Sequence, residues 1–133
     1  MATIEIIMTE GPLPARPPRT AAGAGALLAF EGVIRELEGG RNLLAIDYQH
    51  YEPMATRQMH ALAEAVVARH GLLGLVAEHS RGRVAVGAVS FRLQIAARHR
   101  QEALAAMGEF IDTMKRDVPI WKHPVWPSAA EDA

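Results

Sequence analysis

The chain has 133 residues, half of them apolar and 22% charged, with a formal net charge of −1 and no cysteine. That length buries one real core, and the near-neutral balance makes no electrostatic case for nucleic acid or an anionic membrane surface. The missing cysteine excludes disulfides, thiolate metal sites and cysteine nucleophiles together, and a cytoplasmic location is expected.

Taken in chain order, ATIEIIM (2–8) carries β-branched side chains with partial alternation and predicts a strand. No basic start precedes it and no apolar run approaches the roughly 18 residues of a membrane span, so neither a secretory leader nor a membrane segment is expected. Residues 11–22 open with GPLPARPPRT, whose four prolines make the stretch a connector. GAGALLAFEGVIR (23–35) stays apolar up to Glu31 and predicts a buried strand. ELEGGRN (36–42) is a charged, glycine-rich turn, expected to be mobile, and LLAIDYQHY (43–51) is a second strand forming a hairpin with the first.

Pro53 suits a first helical turn. Met59, Leu62, Ala63, Val66 and Val67 then recur at helical spacing as far as His70, with Gly71 as the stop. LGLVAEHS (73–80) and RVAVGAVSFRLQIA (83–96) read as strands, the second with a bulge at Gly87. A second helix is predicted from Arg98 to Lys115 on a core face of Ala103, Met107, Phe110, Ile111 and Met114. Pro119 ends it at or before Val118. The order β-β-β-α-β-β-α-β predicts one α+β domain over residues 1–133, with a mixed or antiparallel sheet and two main helices.

Six histidines show no ligand spacing; His50, His60 and His70 recur every ten residues, which suits no single helix face, so no metal site is expected. Dinucleotide, phosphate-loop and nucleophile-elbow motifs are absent. Three basic groups are more informative. Arg35 ends the run GVIR, where a solvated charge is an equally good reading. His99 and Arg100 stand at a helix N-terminus, whose free N–H groups already favour an anion. Lys115 and Lys122 bracket the proline break at the other end of that helix, and Lys115 suits the helix dipole even without a function. Trp121 is expected to anchor in the core and, with Pro124, to shelter Lys122; an amine taken out of water is more easily made a base or nucleophile. For Trp126 both burial and exposure stay open.

Along one helix His99 and Lys115 would stand ~24 Å and about 160° apart. They cannot line one small pocket within one subunit. If both function, the simplest closed solution is a twofold dimer in which the helix start of one chain meets the helix end of the other.

Together FEGVIR, IDYQHYEPMA, HSRG, ARHRQEALAAMGEFIDTMK and VPIWK resemble the large, catalytic subunit of molybdopterin synthase, the MoaE family, in order from about Gly23 to Lys122. The resemblance implies a hammerhead-type α/β fold and a homodimer. It also implies a small ubiquitin-like partner of the MoaD type, whose thiocarboxylated C-terminus enters the pocket, giving a heterotetramer. The implied activity is a sulfurtransferase that adds two sulfurs to cyclic pyranopterin monophosphate, forming molybdopterin in molybdenum cofactor biosynthesis. No cofactor is expected, because the sulfur arrives on the partner. Carried onto this chain, Lys115 is the central catalytic lysine and Lys122 a supporting acid–base or charge partner. Substrate binding falls to Arg35, with Val33, Ile34 and His123, and to His99 and Arg100 of the other subunit. The chain departs from the family pattern at Ser80, where arginine is usual, at Ala88, where glutamate is usual, and in the segment 123–133, HPVWPSAAEDA. Those departures leave open a second reading, a dimeric binding protein of the same fold without turnover.

Overall fold

Period-two alternation sends Leu75 and Ala77 of one strand, and Phe91, Leu93 and Ile95 of its neighbour, to one face of a mixed sheet. The apolar stripes of two helices cover that face. The computed structural model describes residues 1–128, so the last five residues of the divergent segment 123–133 lie outside the described residues. The elements are β1 (Thr3–Glu10), β2 (Ala26–Val33), β3 (Leu37–Glu38), β4 (Arg41–Asn42), β5 (Ala45–His50), α1 (Met54–His70), β6 (Gly74–Ala85), β7 (Val89–Ala97), α2 (Arg100–Asp117) and β8 (Ile120–Val125).

Strand β6 is the spine. Its first part pairs with β1 in parallel, from Thr3↔Gly74 to Glu10↔Arg81, and with β7 antiparallel on the other side. Its last residues pair with β5, which carries β8 on its far edge. The resulting path β2-β7-β6-β5-β8 leaves β2 and β8 as outer strands.

Helix α1 buries Met59, Ala63, Val66 and Val67 and stops at Gly71, whose φ of 62° is a left-handed cap that a side chain would strain. Helix α2 buries Ala103, Ala106, Phe110 and Met114, and ends when Val118 N–H caps onto Met114 and Pro119 offers no donor. Phe110 is fully buried and stacks on Phe91 of the sheet at 6.5 Å, a burial that contributes roughly 1.5–3 kcal/mol. Among the described residues no helix is long and apolar enough to cross a membrane.

Several expectations are corrected. Residues 23–35 do not form a buried strand: β2 is an outer strand on which Leu27, Phe30 and Val33 are 46%, 39% and 51% exposed, because among the described residues only β7 pairs with it. Nor is β2 in a hairpin with β5. The intervening residues form their own small hairpin, β3–β4, turned by Gly39 and Gly40 at φ 59° and 78°. Residues 83–85 continue β6, and Gly87, at φ 88°, sits in the turn to β7; the register slip in this sheet is at Gly32/Val33. Trp121 is not a core anchor. It is 49% exposed on an outer strand, edge-on to Tyr51 at 6.3 Å. Trp126 is the half-buried one, packed on the small core of Ile34, Leu43, Ile46 and Val84 with the Arg41 guanidinium 4.4 Å from its ring centre.

The proline-rich connector has no regular element, yet it is tied to the sheet face turned away from the helices. Leu13 is buried, and Arg16 donates to the fully buried Glu78 at 2.6 Å. Glu78 also accepts from buried Arg92 at 2.9 Å, and Arg92 reaches Glu31 at 2.7 Å. Each buried charge thus has an opposite charge and a hydrogen bond, which is what makes its burial tolerable.

Candidate functional site

Where the register slips at Gly32/Val33, β2 leaves the sheet and the chain passes through Ile34 to Arg35. Met114, buried in the last turns of α2, sets the helix so that its neighbour Lys115 stays exposed at the edge. The chain turns at Pro119, and pairing of β8 with β5 places Lys122 opposite Tyr48. These three routes meet at a cavity of about 650 Å³, and Arg35, Lys115 and Lys122 all line it. Phe30, Phe91 and Tyr48 supply aromatic wall, and Met114 and Ile111 close the helix side.

None of the three cations has a hydrogen-bond or ion-pair partner among the described residues. Glu31 also lines the cavity, but its carboxylate is engaged by Arg92. Three unpaired cations around one concave space focus a positive potential and suit an anionic ligand with more than one charged group. The uncharged polar side chains of the wall are Tyr48, His79 and Ser90, with His50 packed against His79 behind them. Tyr48 Oη lies 3.0 Å from Ser90 Oγ, and burial raises the phenol's pKa. His79 Nδ1 lies 2.7 Å from the Ser80 carbonyl, and burial pulls the imidazole down to about 4. His50 Nε2 donates to the same carbonyl at 2.8 Å, and burial lowers its pKa too. Among the described residues no cluster of three or more histidine, aspartate or glutamate side chains is arranged to hold a metal ion.

Of the residues singled out in the sequence, Val33 lines the cavity with Arg35, Lys115 and Lys122. Ile34 is buried in the small second core and braces the wall from behind. His123 is exposed on β8, bonded to the Gln49 side chain at 3.0 Å and off the cavity wall. His99 and Arg100 are exposed at the start of α2, with Lys115 in its last turn, so one chain does not bring them together. The shelter expected for Lys122 is not there: Trp121, Lys122 and Pro124 are all exposed on an outer strand. Tyr48, His79 and Ser90 were missed as wall residues. The available signal was parity, since His79 continues the Leu75–Ala77 face of β6 and so points where an apolar side chain would be expected.

A sequence model of the family described as MoaE protein matches residues 12–117. The molybdopterin synthase catalytic subunit of Nostoc sp. is 37% identical over 103 residues, 77% of this chain and 62% of that protein. The same subunit from Cereibacter sphaeroides is 36% identical over 111 residues, 84% of this chain and 75% of that protein. That of Oryza sativa subsp. indica is 37% identical over 103 residues, 77% and 53% respectively. The chain thus spans about half to three quarters of the length of these relatives. Among solved structures, molybdopterin synthase from Staphylococcus aureus matches with a TM-score of 0.78 at 22% identity, covering 94% of this chain and 92% of that one. A complex of subunits 1 and 2 of molybdopterin-converting factor from Helicobacter pylori matches with 0.72 at 22%, covering 90% and 83%. The molybdopterin biosynthesis MoaE protein from Burkholderia ambifaria matches with 0.71 at 27%, covering 92% and 82%. The mixed sheet with two helices is therefore the fold of these proteins.

Proposed function

The chain belongs to the MoaE family, and we propose that it acts as the catalytic subunit of a molybdopterin synthase. In this reading it moves sulfur from the thiocarboxylated C-terminus of a small ubiquitin-like subunit onto cyclic pyranopterin monophosphate, in molybdenum cofactor biosynthesis. The observation that carries the reading is the convergence of unpaired Arg35, Lys115 and Lys122 on one cavity in a chain of this family.

The chemistry brings two anions together, a phosphate-bearing pterin and a thiocarboxylate, and their mutual repulsion must be offset by fixed positive charge. Lys115, on a rigid helix end, takes the place beside the thiocarboxylate; Lys122, on β8, is its charge and proton-transfer partner. Arg35 holds the substrate's phosphate, Val33 forms wall and Ile34 supports it, while His123, bonded to Gln49 off the wall, takes no part in the site. His99 and Arg100 complete the site from a second chain, which makes the working unit a homodimer and, with two small subunits, a heterotetramer. The domain is the whole of residues 1–133, it works in the cytoplasm, and it needs no cofactor because the partner delivers the sulfur. Neither Ser80 nor Ala88 lies on the cavity wall, which supports turnover over the binding-only reading.

The test is to mix the purified chain with cyclic pyranopterin monophosphate and a thiocarboxylated small subunit and to measure dithiolene product. Product is expected, and a Lys115→Ala chain should make it on the order of 10²–10³ times more slowly. Partner binding without any product would favour the binding protein instead. An unchanged rate in Lys115→Ala would remove that lysine's role.

A further inference from the structure

We propose that His79 is a ligand-binding residue of this cavity, its Nε2 accepting a hydrogen bond from a ring N–H of a flat, donor-bearing heterocycle. With the function proposed above, on which this inference rests for the identity of the ligand, the heterocycle is the pterin of the substrate.

The tautomer follows from the backbone. A carbonyl oxygen can only accept, so the 2.7 Å contact between Nδ1 and the Ser80 carbonyl places the ring proton on Nδ1 and the lone pair on Nε2. Burial keeps the ring neutral at working pH, with a pKa of about 4. His79 lines the cavity, and among the described residues no protein group bonds its Nε2. Among the described residues, the buried side-chain nitrogens and oxygens left without a partner are His50 Nδ1 and Ser80 Oγ. Nε2 is not one of them, so it keeps some accessible surface, and the cavity is the space that His79 lines.

Its surroundings select the ligand. Tyr48 stands edge-on to the imidazole at 5.0 Å and Phe91 lies tilted at 5.9 Å, with Phe30 a further 6.1 Å from Phe91. Aromatic walls of this kind favour a flat ring. A lone pair repels an anion, whereas the Arg35, Lys115 and Lys122 side of the cavity attracts one. A neutral acceptor and three cations on one wall therefore select a molecule that carries both an anionic group and N–H donors. A ligand without the donor leaves Nε2 unpaired once water is excluded, which is the source of the discrimination.

The test is calorimetric titration of the full chain at neutral pH with two probes, cyclic pyranopterin monophosphate and inorganic phosphate. His79→Leu should weaken the pterin about tenfold and leave phosphate unchanged, whereas Arg35→Ala should weaken both; His79→Gln, which keeps an acceptor, should recover most of the loss. On the unaltered chain, the ¹⁵N resonance of His79 Nε2 should move on adding the pterin and stay put with phosphate, so the decision does not depend on the leucine variant folding. Unchanged pterin affinity in a folded His79→Leu chain, or an unmoved Nε2 resonance in a chain that binds pterin, overturns the inference and leaves the functional reading intact. Failure of the unaltered chain to bind the pterin overturns both.

Discussion

His79 and Lys115 face one cavity with opposite relations to water: the imidazole is buried and neutral, the amine exposed and charged. That difference has a thermodynamic consequence. The folded-state pKa of about 4 lies below the ordinary histidine value, so between the two the unfolded chain binds a proton that the folded chain refuses. Stability is therefore fully present above about pH 6.5 and is lost as the pH falls toward 4, on the order of 3 kcal/mol over that window. His50, also depressed by burial, adds to the same slope. Urea unfolding at a series of pH values should show the decline, and His79→Leu should flatten it; an equally steep decline in that variant would mean the titrating group lies elsewhere. Lys115→Ala removes an exposed side chain, so its unfolding free energy should stay within about 0.5 kcal/mol of the parent while activity falls.

Between elements, the β2 lead-in passes close against the backbone of the α2 lead-in. A Cβ on Gly25 would collide with the Arg98 carbonyl oxygen, immediately before His99 and Arg100. Backbone cannot give way as a side chain can, so Gly25→Ala should cost about 1–3 kcal/mol in denaturant unfolding. The charge ladder across β6, β7 and β2 makes a second case. Glu78→Leu removes the buried carboxylate from Arg92, leaving it only half-exposed Glu31, and should cost about 3–5 kcal/mol, whereas Glu78→Leu combined with Arg92→Leu should recover most of that in a double-mutant cycle. At this scale the helices were legible in the sequence, because Gly71 and Pro119 act through their own backbone and the apolar spacing of Met59 to Val67 is local. The pairing of β2 was not. The run Ala26–Val33 has the same composition whether it is flanked on both sides or left at an edge, and its true neighbour β7 lies more than fifty residues on. Gly87 misled for a related reason: a left-handed glycine serves a bulge or a turn equally well, and only the partner strand decides which.

For the whole molecule, α2 separates Lys115 from His99 and Arg100 by its full length. If the working site is shared between two chains, a Lys115→Ala chain and an Arg100→Ala chain are each inactive in both sites of their own dimer. A heterodimer of the two has one intact site, so an equal mixture allowed to exchange subunits should recover about a quarter of the parent's product formation. No recovery, with exchange shown to occur, would mean that the two residues do not complete one site.

By itself the sequence determined the two helices and the glycine and proline that follow them, the α+β class, the family and the basic residues that concern an anionic ligand. These are carried by short-range signals: spacing, prolines, glycines and residue chemistry. The same signals missed the β3–β4 hairpin and set α2 two residues early. Only the tertiary structure decided that Arg35, Lys115 and Lys122 share a cavity, that Ile34 turns into a second core, that Trp121 stays outside while Trp126 packs, and that His79 lines the cavity beside Tyr48 and Phe91. Each of these depends on which strand becomes the neighbour of which, and on which face of it is covered. That is set by pairing and packing between residues far apart in the chain, where no local pattern carries the information.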